Sequence, residues 1–250
     1  MVSVDFQTKS KLAPTGRLRV GIAVGDAISA VWTKRDPATG QPRGPTVDLA
    51  QIFSERTGLP LVLVEYGSSG EIIEAASSGN WDVSFTPVDE ERKVIVDFGP
   101  NFALGESTYM VPKDSAIFNL SDVDRPGVRV FGVENTATIR SSRRLLKNTT
   151  AVGLASLSEV LEKFRGGQAD AIALGKESLL SILPEFPGAR ILDGNFLASG
   201  TAVAVPRGNA VALKIFSELL EELKANGTIR RVFDKHGMTS STVAPPDSRY

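Results

Sequence analysis

Cysteine is absent from the 250 residues. The chain therefore has no disulfide, no thiolate-bound zinc and no thiol nucleophile. The same absence suits an oxidising or a reducing compartment, so it does not locate the protein. Histidine occurs once, as His236, which leaves no room for a multi-histidine metal site. A histidine-based triad would have to use that residue, close to the C-terminus. Neither sign of charge is in surplus: 28 Lys and Arg against 29 Asp and Glu give a net charge of −1. A general nucleic-acid binder carries a basic surplus or patch, so nucleic acid is not an expected partner. No stretch approaches the roughly 18–20 consecutive apolar residues of a membrane-spanning helix. The polar first 16 residues lack the apolar run of a signal peptide. The phosphate-loop patterns G-x-x-x-x-G-K-[ST] and G-x-G-x-x-G are missing.

What is present reads as a folded α/β chain. Hydrophobic residues make up 42% and charged residues 23%, which is ordinary for a globular protein of one large or two small domains. A β-branched run over 17–24 predicts a buried strand. Residues 35–44, with Pro37, Gly40, Pro42 and Gly44, predict a turn or hairpin tip. Leu49, Ala50, Ile52 and Phe53 predict a helix over 47–57, stopped by Gly58. A strand over 61–65, a helix capped by Ser69 and running to about Ser78, and a strand over 81–86 complete a first unit. The second unit repeats this order: strands over 128–133, 169–174 and 201–205, and helices over 136–146, 156–165, 176–183 and 209–226. A short helix over 228–235 follows. This order implies a largely parallel sheet. The boundary is expected near 106–112. Residues 1–14 and the Ser/Thr/Pro-rich 239–250 are expected to be flexible tails.

Several residues carry candidate chemistry. Arg92 follows a strand end and a turn, where α/β sheets line their ligand crevices. A guanidinium there grips a carboxylate with two parallel hydrogen bonds. A surface arginine paired with Glu90 or Glu91 explains the same local sequence. Asn135 and Thr136 stand where a strand turns into a helix, a place that binds anions through its free N–H groups or simply takes a cap. Trp32, after the first strand, either stacks on a ligand or packs. The run Asp89–Glu91 reads as a solvated loop.

Taken in order, the segments LRVGIAV (18–24), GPTVDLAQIFSERTG (44–58), GNWDVSFTPVDEERKVIVDFGP (79–100), GQADAIALGKESL (167–179) and SGTAVAVPRGN (199–209) resemble one family. It is the polar amino-acid substrate-binding proteins of ABC transporters, with the type II periplasmic binding fold. The resemblance covers about 17–238. It implies two lobes around a central cleft: lobe 1 over 15–106 with 204–238 returning to it, and lobe 2 over 107–203. Two hinge crossings would lie near 107–110 and 199–202. The implied function is capture of a small carboxylate or amino-acid-like solute by hinge closure and its delivery to a membrane permease. The protein is then a periplasmic monomer, its signal peptide absent from this chain, with no metal, no cofactor and no catalysis. Alternatives on the same fold are a cyclohexadienyl dehydratase-like enzyme and the ligand-sensing domain of a receptor.

The resemblance also assigns residues. Arg92 matches the clamp for the ligand α-carboxylate, and Thr136 matches the hydroxyl-and-amide loop of lobe 2, with Asn135 in place of the usual glycine. Trp32 or Ser29 falls near the aromatic wall, and Ser69 near the lobe 1 loop. Thr86, Gly175 and Lys176 complete the expected ligand-binding set. Two positions depart from the family pattern. Pro87 stands where a Ser or Thr is usual, and it has neither a hydroxyl nor an N–H. Gly175 stands where an Asp usually pairs with the α-ammonium. A buried ammonium without a carboxylate is costly. Either the ligand lacks an α-amino group, or another acid, with Glu134 and Asp26 as candidates, replaces the missing one.

Overall fold

A computed structural model of the chain describes residues 6–249. In chain order the elements are α1 (Phe6–Leu12), β1 (Leu18–Val24), β2 (Trp32–Arg35), β3 (Pro42–Arg43), α2 (Pro45–Thr57), β4 (Leu61–Tyr66), α3 (Ser69–Glu74) and β5 (Val83–Pro87). The chain continues through β6 (Val96–Val111), α4 (Leu120–Val123), β7 (Val130–Val133), α5 (Ala137–Leu145), β8 (Ala151–Leu154) and α6 (Leu157–Arg165). The last elements are β9 (Ala171–Gly175), α7 (Lys176–Ile182), β10 (Arg190–Ile191), β11 (Leu197–Pro206), α8 (Ala210–Ala225), α9 (Thr228–Lys235) and β12 (Thr242–Val243). No helix among the described residues is long and apolar enough to cross a membrane.

Each half of the sheet has a parallel centre. In the first half β1 pairs in parallel with β2, β4 and β5. In the second β7 pairs in parallel with β8 and β9. Two long strands join the halves. β6 and β11 run antiparallel to each other over most of their length, from Val96↔Pro206 to Ser107↔Leu197. At one end β11 pairs with β5 (Thr86↔Ala202), and at the other β6 pairs with β9 (Thr108↔Leu174). The segment near 106–112, where the boundary is expected, lies almost wholly in the sixteen-residue β6.

The cores follow this division. Lobe 1 is built on rings from five elements: Phe53 stacks on Phe216 at 5.2 Å and 2°, Phe53 meets Phe85, Phe85 meets Phe102, and Phe102 meets Phe233. Aromatic pairs at this spacing add to the burial energy of the rings. Lobe 2 has a smaller core around Tyr109, Val130, Ile139 and Ala171. A further apolar cluster includes residues of both lobes, among them Trp32 and Ile73 with Leu157 and Phe164.

Two local readings are corrected. Ser68, not Ser69, caps α3: its hydroxyl accepts from the Glu71 amide, and Ser69 is the first helical residue. The two segments expected to be flexible are docked. Leu12 and Ala13 are buried in the lobe 1 core. At the other end β12 pairs with β6 at Leu104 and Ala103, and the Asn101 amide donates to the Ser248 carbonyl at 2.8 Å. Lys224 fixes the same segment: its buried ammonium donates to the Asn101 and Pro245 carbonyls at 3.0 and 2.9 Å and pairs with Glu221 at 2.6 Å. Composition suggested fraying because Ser, Thr and Pro bury little. Backbone pairing to an open strand edge supplied what side chains did not. Residues 1–5 lie outside the described part.

Candidate functional site

A cavity of about 80 Å³ lies between the lobes, at the ends of the parallel strands and against the crossing pair. Lobe 1 contributes Ser29, Ala30, Trp32, Ser69 and Pro87 to its wall. Lobe 2 contributes Val133, Thr136, Thr138, Leu174, Gly175, Lys176, Glu177 and Ser178. The crossing strands contribute Ala103 to Ser107 together with Ser199 and Thr201. The wall is rich in hydroxyls on an apolar frame, which is how small-solute sites fix orientation.

Local structure explains how each side chain is held. Ser29 accepts from the Val31 and Trp32 amides, so the loop after β1 turns tightly and brings Trp32 to the wall. The Trp32 ring lies against Gly25, where a Cβ would come within 2.9 Å of it. Thr136 caps α5: its hydroxyl accepts from the Ile139 amide at 3.2 Å and donates to the Val133 carbonyl at 2.8 Å. Gly175 ends β9 and is the N-cap of α7, with φ −61, and a Cβ there would meet only the Ser178 hydroxyl, at 3.8 Å. Lys176 Nζ stands 3.5 Å from Glu106 Oε2.

Arg92 is placed differently from the other candidates. Its side chain is 2% exposed and does not form part of the cavity wall. One amino group donates to the Pro87 carbonyl at 3.1 Å. The other donates to Ser69 Oγ at 3.1 Å and, across the cleft, to the Asn135 carbonyl at 3.0 Å. Nε faces Asp89 at 3.6 Å. Burial pushes the guanidinium down to about 10, with Asp89 opposing the shift. Ser69 and Pro87, two of its partners, do line the cavity, so Arg92 sits directly behind that wall.

Asn135 also lies outside the wall. Its φ of 57 puts the backbone in the left-handed region, which turns the carbonyl toward Arg92. Its side chain bonds Glu74. Gly70 faces it so closely that a Cβ would lie 2.6 Å from Asn135 Cβ. Thr86 is fully buried in the β5–β11 ladder, its hydroxyl without a hydrogen bond, and does not reach the cavity. Of the nine sequence-derived positions, Ser29, Trp32, Ser69, Thr136, Gly175 and Lys176 come together around the cavity; Arg92, Asn135 and Thr86 do not.

The two acids proposed to replace the strand-end aspartate are elsewhere. Glu134 is held by Arg143 at 2.6 Å, and Asp26 accepts from Ser158 at 2.6 Å; neither reaches the cavity. The acids on the wall are Glu106 and Glu177, both missed from the sequence. Burial pushes the Glu177 carboxyl above the usual carboxylate range, partly offset by Ser241, the Ala30 amide and Arg230. The signal was available: Glu177 stands in the first turn of a helix that starts at a strand end.

The lobes touch at several points on the rim. The Ile28 amide donates to Ser181 Oγ at 3.1 Å and the Ala30 amide to Glu177 Oε2 at 3.2 Å. Lys34 pairs with Glu185 at 3.0 Å. Arg140 on α5 holds both Asp89 and Glu91, the latter at 3.0 Å. The run Asp89–Glu91, expected to be solvated, is partly an interlobe clasp.

Comparison with known proteins agrees with this architecture. Residues 25–239 match the bacterial extracellular solute-binding proteins, family 3. The chain belongs to that family. A glutamine-binding protein from Geobacillus stearothermophilus is 23% identical over 201 residues, covering 78% of this chain and 74% of that protein. Among solved structures, an amino acid ABC transporter substrate-binding protein from Streptococcus pneumoniae, bound to L-arginine, superposes with a TM-score of 0.81 at 17% identity, over 95% of this chain and 99% of that one. An ancestral amino acid-binding protein, described as a precursor of cyclohexadienyl dehydratase, gives 0.80 at 23% identity, over 91% and 98%. At these identities the structural likeness establishes the type II periplasmic binding fold, with its two lobes, central cleft and two crossings. The family supplies solute binding.

Proposed function

We propose that the chain is the periplasmic receptor of an ABC importer for amino acids or closely related carboxylates. It captures the solute by closing the two lobes on it and presents the closed form to the permease. The observation that carries this reading is the cavity itself. It is walled by both lobes and by the crossing strands, so a solute held there stabilises the closed arrangement. The anionic end of the solute belongs at Ser69 and Thr136, in front of Arg92. There a carboxylate oxygen takes over the N–H that Arg92 now gives to the Asn135 carbonyl. The crossing of β6 and β11 supports lobe limits near 106/107 and 203/204.

A thermal-shift screen against amino acids, organic acids and amines tests the reading. A solute at a hundredfold excess over its Kd adds about 2.7 kcal/mol of stability and raises Tm accordingly. No shift with any amino acid or carboxylate would overturn it. A second reading, an enzyme of the dehydratase kind, is favoured by one feature: Glu177 is a cavity-wall acid whose burial holds its proton more tightly. Recovery of the bound solute chemically unchanged after prolonged incubation separates the two.

A further inference from the structure

We infer that Glu177 is the acid that receives the cationic group of the solute, in place of the side chain that Gly175 lacks. The inference rests on the reading of the cavity as an amino-acid site and deepens it.

Among the described residues, three charged ones line the cavity: Glu106, Lys176 and Glu177. Glu106 is engaged at both oxygens, by Asn195 Nδ2 at 3.0 Å and by Lys176 Nζ at 3.5 Å. Lys176 is thereby held against the crossing strand. Glu177 is engaged at one oxygen only, Oε2, by the Ala30 amide from the opposite lobe. Its other oxygen, Oε1, is buried and has no hydrogen-bond partner. The nearby Ser241 hydroxyl on the docked C-terminal segment is close enough to affect the carboxyl but makes no hydrogen bond to Oε1. A buried carboxylate oxygen without a donor is costly, and a solute ammonium or guanidinium supplies both the donor and the opposite charge.

The placement adds a coupling. An acid at position 175 would sit on the strand end of lobe 2 alone. Glu177 is two residues further, on the first turn of α7, and its second oxygen bridges to lobe 1. The residue that meets the solute cation is therefore also one that closes the lobes. A cation on Oε1 favours the ionised form, and the ionised form strengthens the Ala30 N–H bond.

The test is calorimetric titration of the full chain and its variants. The probes are the twenty L-amino acids and, for each that binds, the matching carboxylate without the α-amino group. Glu177→Gln keeps the shape and removes the charge. It is expected to weaken ammonium-bearing probes by roughly tenfold to a hundredfold, the loss typical of a charged hydrogen bond. Affinity for the deaminated counterparts should stay within about threefold. Adding Gly175→Asp to Glu177→Gln is expected to restore most of the lost affinity, since the space at Gly175 admits a side chain. Unliganded melting of each variant checks that it folds. Equal affinity of the parent and Glu177→Gln for an amino acid would overturn the assignment and leave the amino-acid reading standing. So would binding of deaminated carboxylates alone, which would keep the carboxylate reading. No binding of any probe by the parent chain would overturn both.

Discussion

Arg92 changes meaning when its surroundings are added to its position in the chain. As a sequence feature it is a clamp waiting for a carboxylate. In the folded chain three carbonyl or hydroxyl oxygens and Asp89 already hold it, and one of those oxygens belongs to the other lobe. Arg92→Ala therefore leaves polar groups of both lobes unpaired in a dry place. The expected loss is about 3 kcal/mol in a urea titration, together with loss of carboxylate binding. A variant as stable as the parent that binds normally would show that the guanidinium serves neither purpose. Gly70 gives a second prediction at this scale. Gly70→Ala places a methyl 2.6 Å from Asn135 Cβ in the closed arrangement and touches nothing else as closely as that residue. Overpacking of this kind costs about 1–3 kcal/mol. The radius of gyration in saturating solute should stay at the open value, and affinity should fall by about tenfold or more. Glu177 gives the third. Its folded pKa lies above the unfolded 4.5, so its contribution to stability is fully present below pH 4.5 and is lost as pH rises through the folded value. Compared with the parent, unliganded Glu177→Gln should gain stability from pH 4.5 upward. A difference between the two that does not vary with pH would mean that the carboxyl is solvated.

Elements were the most legible scale. The helix over 47–57 and its stop at Gly58 could be read because an apolar stripe and a left-handed glycine are local facts, and α2 ends with Gly58 at φ 64. Most of the strand–helix alternation was equally legible, because the central parallel strands β1, β5, β7 and β9 are mainly buried. Two features were not legible. The unbroken β6 was hidden by Gly99, Pro100 and Gly105, residues that punctuate a sequence but are tolerated in a strand that crosses between lobes. The docking of β12 was hidden because its partner lies some 140 residues away and is backbone. Pairing with a strand edge needs no apolar pattern. Site residues divide the same way. Positions fixed by a strand end or a helix start, such as Thr136 and Gly175, were found. Glu177 shares that kind of position and was open to the same reading, whereas Glu106 required knowledge of which face the crossing strands present to the cleft. Deleting 240–250 tests the docked segment. It removes the β12 ladder, the Asn101–Ser248 bond and one carbonyl of the Lys224 cage. At about 1 kcal/mol for each of roughly three net hydrogen bonds, stability should fall by about 3 kcal/mol. Tm should fall by about 6–12 °C in a scan of the unliganded protein.

For the whole molecule, the rim contacts matter more than any one of them. Asp89 and Glu91 on lobe 1 face Arg140 and Arg144 on lobe 2, and Lys34 faces Glu185 on the opposite side. Each pair is partly exposed, so each is screened by salt and adds little alone. Together they are expected to bias the unliganded protein toward closure. Raising ionic strength should therefore increase the radius of gyration of the unliganded protein in small-angle scattering. Arg140→Glu, which turns two attractions into repulsions, should hold it open at all salt concentrations. A radius insensitive to both would place the closing energy in the apolar contact of Trp32 with lobe 2 instead.

The aromatic stack of lobe 1 also bears on synthesis. Phe53, Phe85 and Phe102 emerge from the ribosome early, but Phe216 and Phe233, which complete their stack, are made only after all of lobe 2. The elements β7 to β10 form one continuous stretch of chain that is complete before α8 is made. The lobe begun first is thus finished last, and for more than a hundred residues of translation it carries an open aromatic face that needs shielding from other nascent chains.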